Sequence, residues 1–233
     1  MPSFPNEISA SQKLFGEIAL TPSRAELIRK SYLLLSLNVA AAMLGGFIGA
    51  RSPLIVTVLS HWTGWIAAMI LINAVPRIAI AARHNPAIGL PALLLDGFLA
   101  GIALAPLLYV ARLVGPGLIY TAMVITGLVF TAVTMYVMTA DREFSAPKGL
   151  MAGAFMAIVA AIVLNAFLNI GLLGIVISAG IGVIGVFTLV YATSDVLHDP
   201  QVDSPIPCAL MLFAGLFNVF VSVLNLLLRF GRR

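Results

Sequence analysis

Asp96 carries the strongest chemical demand in this sequence, because its carboxyl sits about one to two turns inside an apolar stretch that begins near Ile88. Placing an acid there costs on the order of 3 kcal/mol on insertion scales, so it must face other helices and have a partner or hold a proton. Two roles fit: a hydrogen bond to Thr, Asn or backbone on a neighbouring helix, or the handling of a proton or cation. A second polar set lies near the C-terminus, where Gly215, Asn218, Ser222 and Asn225 recur three or four residues apart and would share one helical face. Such a stripe either joins helices by hydrogen bonds or lines a route for ions. Asp195, Asp199 and Asp203 lack the spacing of a calcium loop and read as a solvated acidic loop, with a weak divalent site as the other reading. His61, His84 and His198 fall in separate stretches, and no His-Glu-x-x-His or Gly-x-Ser-x-Gly pattern occurs. No catalytic, cofactor-binding or metal-binding residue is therefore expected, and the chain does not read as an enzyme.

The elements that position these groups are membrane helices. Of 233 residues, 61% are hydrophobic and 9% charged, and the mean hydropathy is +1.08, far from the composition of a soluble globular domain. At about 20 apolar residues per crossing, such a chain holds roughly six or seven helices and little else. The net charge of +4 arises from basic residues at the ends of the apolar segments, a pattern of membrane topology and not of nucleic-acid binding. The one cysteine, Cys208, excludes an intramolecular disulfide and reads as a buried thiol.

In chain order, residues 1–29 read as an N-terminal tail with Pro2, Pro5 and Pro22 and no signal-peptide plan, and residues 30–233 as the transmembrane domain. Spans are expected near 31–50, 54–75, 88–110, 118–138, 149–168, 172–191 and 206–229. Gly45 with Gly49, and Gly97 with Gly101, are placed for close helix packing, and Trp62 and Trp65 for an interface. Pro76 and Arg77 read as part of a basic loop, and the hydroxyls of Thr121, Thr126, Thr131 and Thr134 as bonded back to their own helix. Lys13, Arg24, Arg29, Lys30, Arg77, Arg83, Arg142 and Lys148 outnumber Arg51 and Arg112 on the opposite side, which puts the tail in the cytoplasm.

Several short stretches resemble the Bax inhibitor-1 family, in particular its bacterial YccA-like branch. They are Ser31-Tyr32-Leu33-Leu34-Leu35-Ser36-Leu37, Gly97-Phe98-Leu99 with Pro106, Tyr136-Val137-Met138-Thr139, Ala192-Thr193-Ser194 and Leu216-Phe217-Asn218-Val219-Phe220-Val221-Ser222. The resemblance implies an all-α membrane protein, a seven-transmembrane-helix bundle with the C-terminal helix central, in the inner membrane of a bacterium. For calcium-leak members it also implies a pair of buried aspartates on the sixth and seventh helices. Aligned on those motifs, this chain has Ala192 and Gly215 at the two positions, neither of which titrates; Asp195, about one turn beyond Ala192, is the possible substitute. The function the resemblance implies is interaction with, and modulation of, an FtsH-type membrane protease in protein quality control, with the tail, Pro5 to Arg24, as the engaged segment. The alternative is a pH-sensitive calcium or proton leak using Asp96 and the Asn218 face, weakened by loss of the paired aspartates.

Overall fold

The computed structural model describes residues 22–115, 117–140, 144, 148–168 and 170–231. Nine helices lie among them: α1 (Pro22–Arg51), α2 (Pro53–Ser60), α3 (Trp62–Ala81), α4 (Pro86–Ala103), α5 (Ala105–Val114), α6 (Gly117–Thr139), α7 (Lys148–Leu168), α8 (Gly171–His198) and α9 (Pro205–Gly231). Of these, α1, α3, α4, α6, α8 and α9 are long and apolar enough to cross a membrane. Helix α7 has 21 residues, of which the stretch Ala152–Asn165 is apolar among those whose side chains are described.

The molecule is built around α9, which touches α8, α1, α6, α3, α4 and α5. Three apolar clusters each draw on it: Cys208, Leu212, Phe213 and Val219 pack with Leu35, Val137 and Leu189. Ile206, Ala209 and Leu210 join Leu34, Ala79 and Leu93, and Leu224 and Leu228 join Ala111 and Ala122. By contrast α7 packs on α8 and presents Phe155, Met156 and Val163 outward. In lipid that exposed apolar surface needs no protein cover, so what holds the helices together is close contact and hydrogen bonding.

Close contact is set by glycine. Where α1 crosses α4, a Cβ on Gly101 would strike the Ala42 carbonyl, one on Gly45 the Phe98 carbonyl, and one on Gly97 the Asn38 side chain. Both glycine pairs read from the sequence therefore serve a single crossing.

Five boundaries differ from the sequence reading. The expected span 54–75 is broken at His61, whose extended backbone (φ −87°, ψ 146°) separates α2 from α3. Gly64 permits the sharp return there, since a Cβ would collide with the Val58 carbonyl. Pro76 lies inside α3 and not in a loop, the helix continuing to Ala81; a missing N–H is tolerated in membrane helices when neighbours satisfy the freed carbonyl. The expected span 88–110 is interrupted at Leu104 because Pro106 cannot donate in the ladder. Helix α8 runs past Tyr191 to His198, carrying Thr193, Ser194 and Asp195 on its last turns instead of in a loop. Helix α1 in turn begins at Pro22, within the stretch read as tail.

Within α6, Thr121, Thr126 and Thr131 donate to the carbonyls of Gly117, Ala122 and Gly127 at 3.0, 2.7 and 2.9 Å, as expected of hydroxyls in an apolar helix. The Thr134 hydroxyl, also read that way, has no hydrogen-bond partner.

Candidate functional site

Asp96 is buried, 5% exposed, on the face of α4 that meets α1. Its side-chain neighbour is Asn38, fully buried near the middle of α1. The Asn38 Oδ1 accepts from the Gly97 N–H at 3.0 Å, while its Nδ2 has no hydrogen-bond partner. An acid and an amide therefore share one pocket at the glycine crossing, and each limits the other's freedom. Sequence reasoning missed Asn38, although an amide in the middle of an apolar span is a visible signal. A double-mutant cycle with Asn38→Ala and Asp96→Ala should give a coupling of roughly 0.5–3 kcal/mol in thermal unfolding, since the partners are in contact; additive losses would mean that they act separately.

In the polar stripe of α9, Ser222 makes the bond to a neighbouring helix. The Ser222 hydroxyl donates to the Ser178 carbonyl of α8 at 2.6 Å, with both residues buried. The Asn225 Nδ2 donates to the Val221 carbonyl of its own helix at 2.9 Å, and Asn218 is half-buried. Among the described residues no hydrogen bond joins Asp96 to Asn218, Ser222 or Asn225. The structure therefore does not bring these groups together as one hydrogen-bonded site.

Gly215 lies where α8 and α9 come closest. A Cβ there would meet the Leu189 side chain and the Gly185 carbonyl, and a Cβ on Gly185 would meet the Gly215 carbonyl. Ala192, 1% exposed, is part of the same apolar cluster as Leu189 and Val196. At Gly215 the space a side chain would need is already filled, and at Ala192 a carboxylate would be buried in an apolar cluster.

The densest polar contacts lie on the tail side. Arg24, in the first turns of α1, reaches the C-terminal end of α8: its Nη2 donates to the carbonyls of Asp195 (2.9 Å) and Asp199 (2.7 Å), its Nε to Leu197 (3.3 Å) and its Nη1 to Val202 (3.4 Å). A fixed cation thus adds charged donors to carbonyls at and beyond the helix end, those of Asp195 and Asp199 already accepting the Asp199 and Val202 N–H groups, and it opposes the partial negative charge there. Beside this clamp, the Ser194 Oγ accepts from the Phe144 N–H at 2.9 Å. Asp203 pairs with Arg83 (3.7 Å) and His84 (3.6 Å), and the Ser204 hydroxyl donates to the Arg83 carbonyl at 3.1 Å. The Asp199 side chain accepts from the Gln201 N–H at 2.8 Å. The three aspartates therefore have separate settings: Asp195 lies in the last turn of α8, Asp199 follows its end and shapes a turn, and Asp203 joins two loops. Of the stretch Pro5 to Arg24 read as partner-engaging, residues 5–21 lie outside the described residues, and Arg24 is turned inward.

A helical bundle with glycine crossings, an intramembrane acid and a pinned tail-side loop set defines a class: a multi-pass helical membrane protein. The chain belongs to the Bax inhibitor-1 family, since the family model described as "Inhibitor of apoptosis-promoting Bax1" matches residues 24–232. It is 27% identical over 206 residues to the modulator of FtsH protease YccA of Escherichia coli, covering 88% of this chain and 90% of that one. An uncharacterized protein of Campylobacter jejuni is 28% identical over 210 residues, 88% of this chain and 89% of its own. Another from Neisseria meningitidis is 26% identical over 219 residues, 92% and 96% of the two.

Proposed function

We propose that this chain is a non-enzymatic protein of a bacterial inner membrane that binds and modulates an FtsH-type membrane protease. The reading rests on the similarity to the Escherichia coli FtsH modulator, which covers 88% of this chain and 90% of that one. The packing at Ala192 and Gly215 supports it from the other direction, since a bundle closed there by small residues has no titrating latch at those positions. The architecture proposed is seven crossings: the six long helices plus α7, whose 21 residues span about 31 Å, enough for a hydrocarbon core of about 30 Å. The excess of Lys and Arg on the tail side puts the tail in the cytoplasm, where an ATP-driven protease would engage it.

The test is the lifetime of the full chain and of a form lacking residues 2–21, each in cells with and without the protease. The deletion stops ahead of Arg24 so that the clamp on α8 survives. The full chain should be short-lived only where the protease is present, and the shortened form should persist; four equal lifetimes would remove the mechanism. A second reading, a proton or cation leak, is favoured by one observation, the burial of Asp96 beside an Asn38 amide with hydrogen-bonding capacity to spare. Asp96→Asn separates the two: co-purification with the protease should be unchanged, whereas a leak measured in liposomes would lose its pH dependence.

A further inference from the structure

Between α1 and α6 the bundle does not close. The two helices meet on the tail side, where the Tyr32 and Phe130 rings lie 6.1 Å apart. Beyond that contact they diverge around a cavity of 560 Å³. Its walls are Val39, Gly46 and Phe47 of α1 and Met123, Thr126 and Gly127 of α6; Phe213, Phe217 and Phe220 of α9 form the floor. The volume falls within the about 300–1,000 Å³ typical of ligand pockets. Measured along α1 from Val39 to Arg51 the cavity is about 18 Å deep, a little over half of a hydrocarbon core of about 30 Å. It runs from mid-membrane to the surface opposite the tail, and so matches one leaflet.

At that surface the apolar lining gives way to Arg51 and Arg112, with Tyr120 beside them. Arg112 donates to the Ala50 carbonyl at 3.1 Å, which brings its guanidinium to the end of α1 next to Arg51. The Arg51 guanidinium lies 3.7 Å over the Phe47 ring. Among the described residues, neither arginine pairs with a carboxylate. Two uncompensated guanidinium groups above an apolar slot one leaflet deep form a site for an amphiphile with an anionic head, and the paired forks suit a phosphate.

We propose that this cavity binds one anionic phospholipid of the leaflet opposite the tail, with an acyl chain between α1 and α6 and the phosphate on Arg51 and Arg112. The charge and depth favour this occupant over a transmembrane helix or a second copy of the chain, which would have no use for two arginines at the rim. The inference is independent of the protease reading.

The test is native mass spectrometry of the full-length protein in mild detergent, titrated with phosphatidylglycerol or with phosphatidylcholine of the same acyl chains. Phosphatidylglycerol should bind about tenfold more tightly. The double variant Arg51→Gln with Arg112→Gln should lose that preference and retain only the weaker, head-independent binding. Gly127→Phe should abolish both, because nothing lies within 4 Å of a Cβ at Gly127 and a ring there fills the slot without displacing a neighbour. Equal affinity for the two lipids would overturn the proposal, as would phosphatidylglycerol binding undiminished in Gly127→Phe. An unchanged unfolding midpoint in the arginine variant identifies loss of binding as loss of the site and not of the fold.

Discussion

Replacing Gly215 by aspartate is expected to prevent the folded protein from accumulating in the membrane. The Cβ alone would meet the Leu189 side chain and the Gly185 carbonyl at 2.9 and 3.0 Å, which forces α8 and α9 apart. Overpacking of this kind costs about 1–3 kcal/mol, and an acid buried in an apolar membrane interior adds about 2.5–3.5 kcal/mol. The sum, about 3.5–6.5 kcal/mol, is a large share of the roughly 5–15 kcal/mol that holds a folded protein together. Gly215→Ala carries only the steric part and should lower the unfolding midpoint while leaving membrane levels measurable. The outcome that would sink this account is wild-type abundance of Gly215→Asp combined with pH-gated cation flux, which would mean that α8 and α9 open readily to admit a carboxyl.

The second large effect belongs to Arg24. Arg24→Gln removes the cation that serves four carbonyls at and beyond the end of α8. A charge-assisted hydrogen bond contributes about 1.5–3 kcal/mol and a cation at a helix C-terminus about 0.3–1 kcal/mol. Arg24 is only half-buried, so solvent screens part of this and a net loss of about 2 kcal/mol is expected. For a chain of this size that lowers the unfolding midpoint by about 4–8 °C. Arg24→Lys should recover little of it, because a single ammonium cannot span carbonyls that a planar fork reaches together. Equal midpoints for wild type and Arg24→Gln would show that the clamp contributes nothing net. The variant also bears on the lifetime experiment: a deletion that includes Arg24 would confuse loss of a protease handle with loss of the fold.

Much of the architecture was legible in the sequence, and the limits have physical causes. Apolar length marks a crossing whatever its neighbours, so the spans of α6 and α9 were placed to within a residue or two. Glycine spacing announced close packing at 45/49 and 97/101, but one chain alone could not say that the two pairs face each other. The helix breaks were harder: Pro76 and Pro106 are the same residue type, yet α3 runs through the first while α4 stops short of the second. The residue type does not separate the two cases, and what does lies in the surroundings of each proline, which is tertiary information. The end of α8 was misread because Ala192-Thr193-Ser194 followed by aspartates has the composition of a loop, whereas a distant arginine extends the helix. Asp96 announced itself by the expense of burying a charge, and its companion Asn38 did not, because an amide in a membrane helix is cheaper and the partner lies 58 positions earlier in the chain. The arginine pair over the cavity was visible only as two charges at segment ends.

The place of α9 at the centre has a consequence for how the molecule is made. Synthesis runs from the N-terminal side, so α1, α3, α4, α6 and α8, each long and apolar enough to cross a membrane, are all made before α9, the helix that each of them touches. Until then Asp96 and Asn38 can find each other across α1 and α4, but Ser178 has no Ser222 and the small-residue face of α8 has no counterpart. The nascent protein therefore passes through a stage with its spans inserted and its middle vacant. Final assembly is a single late event, and any lesion that delays or removes α9 affects every helix at once.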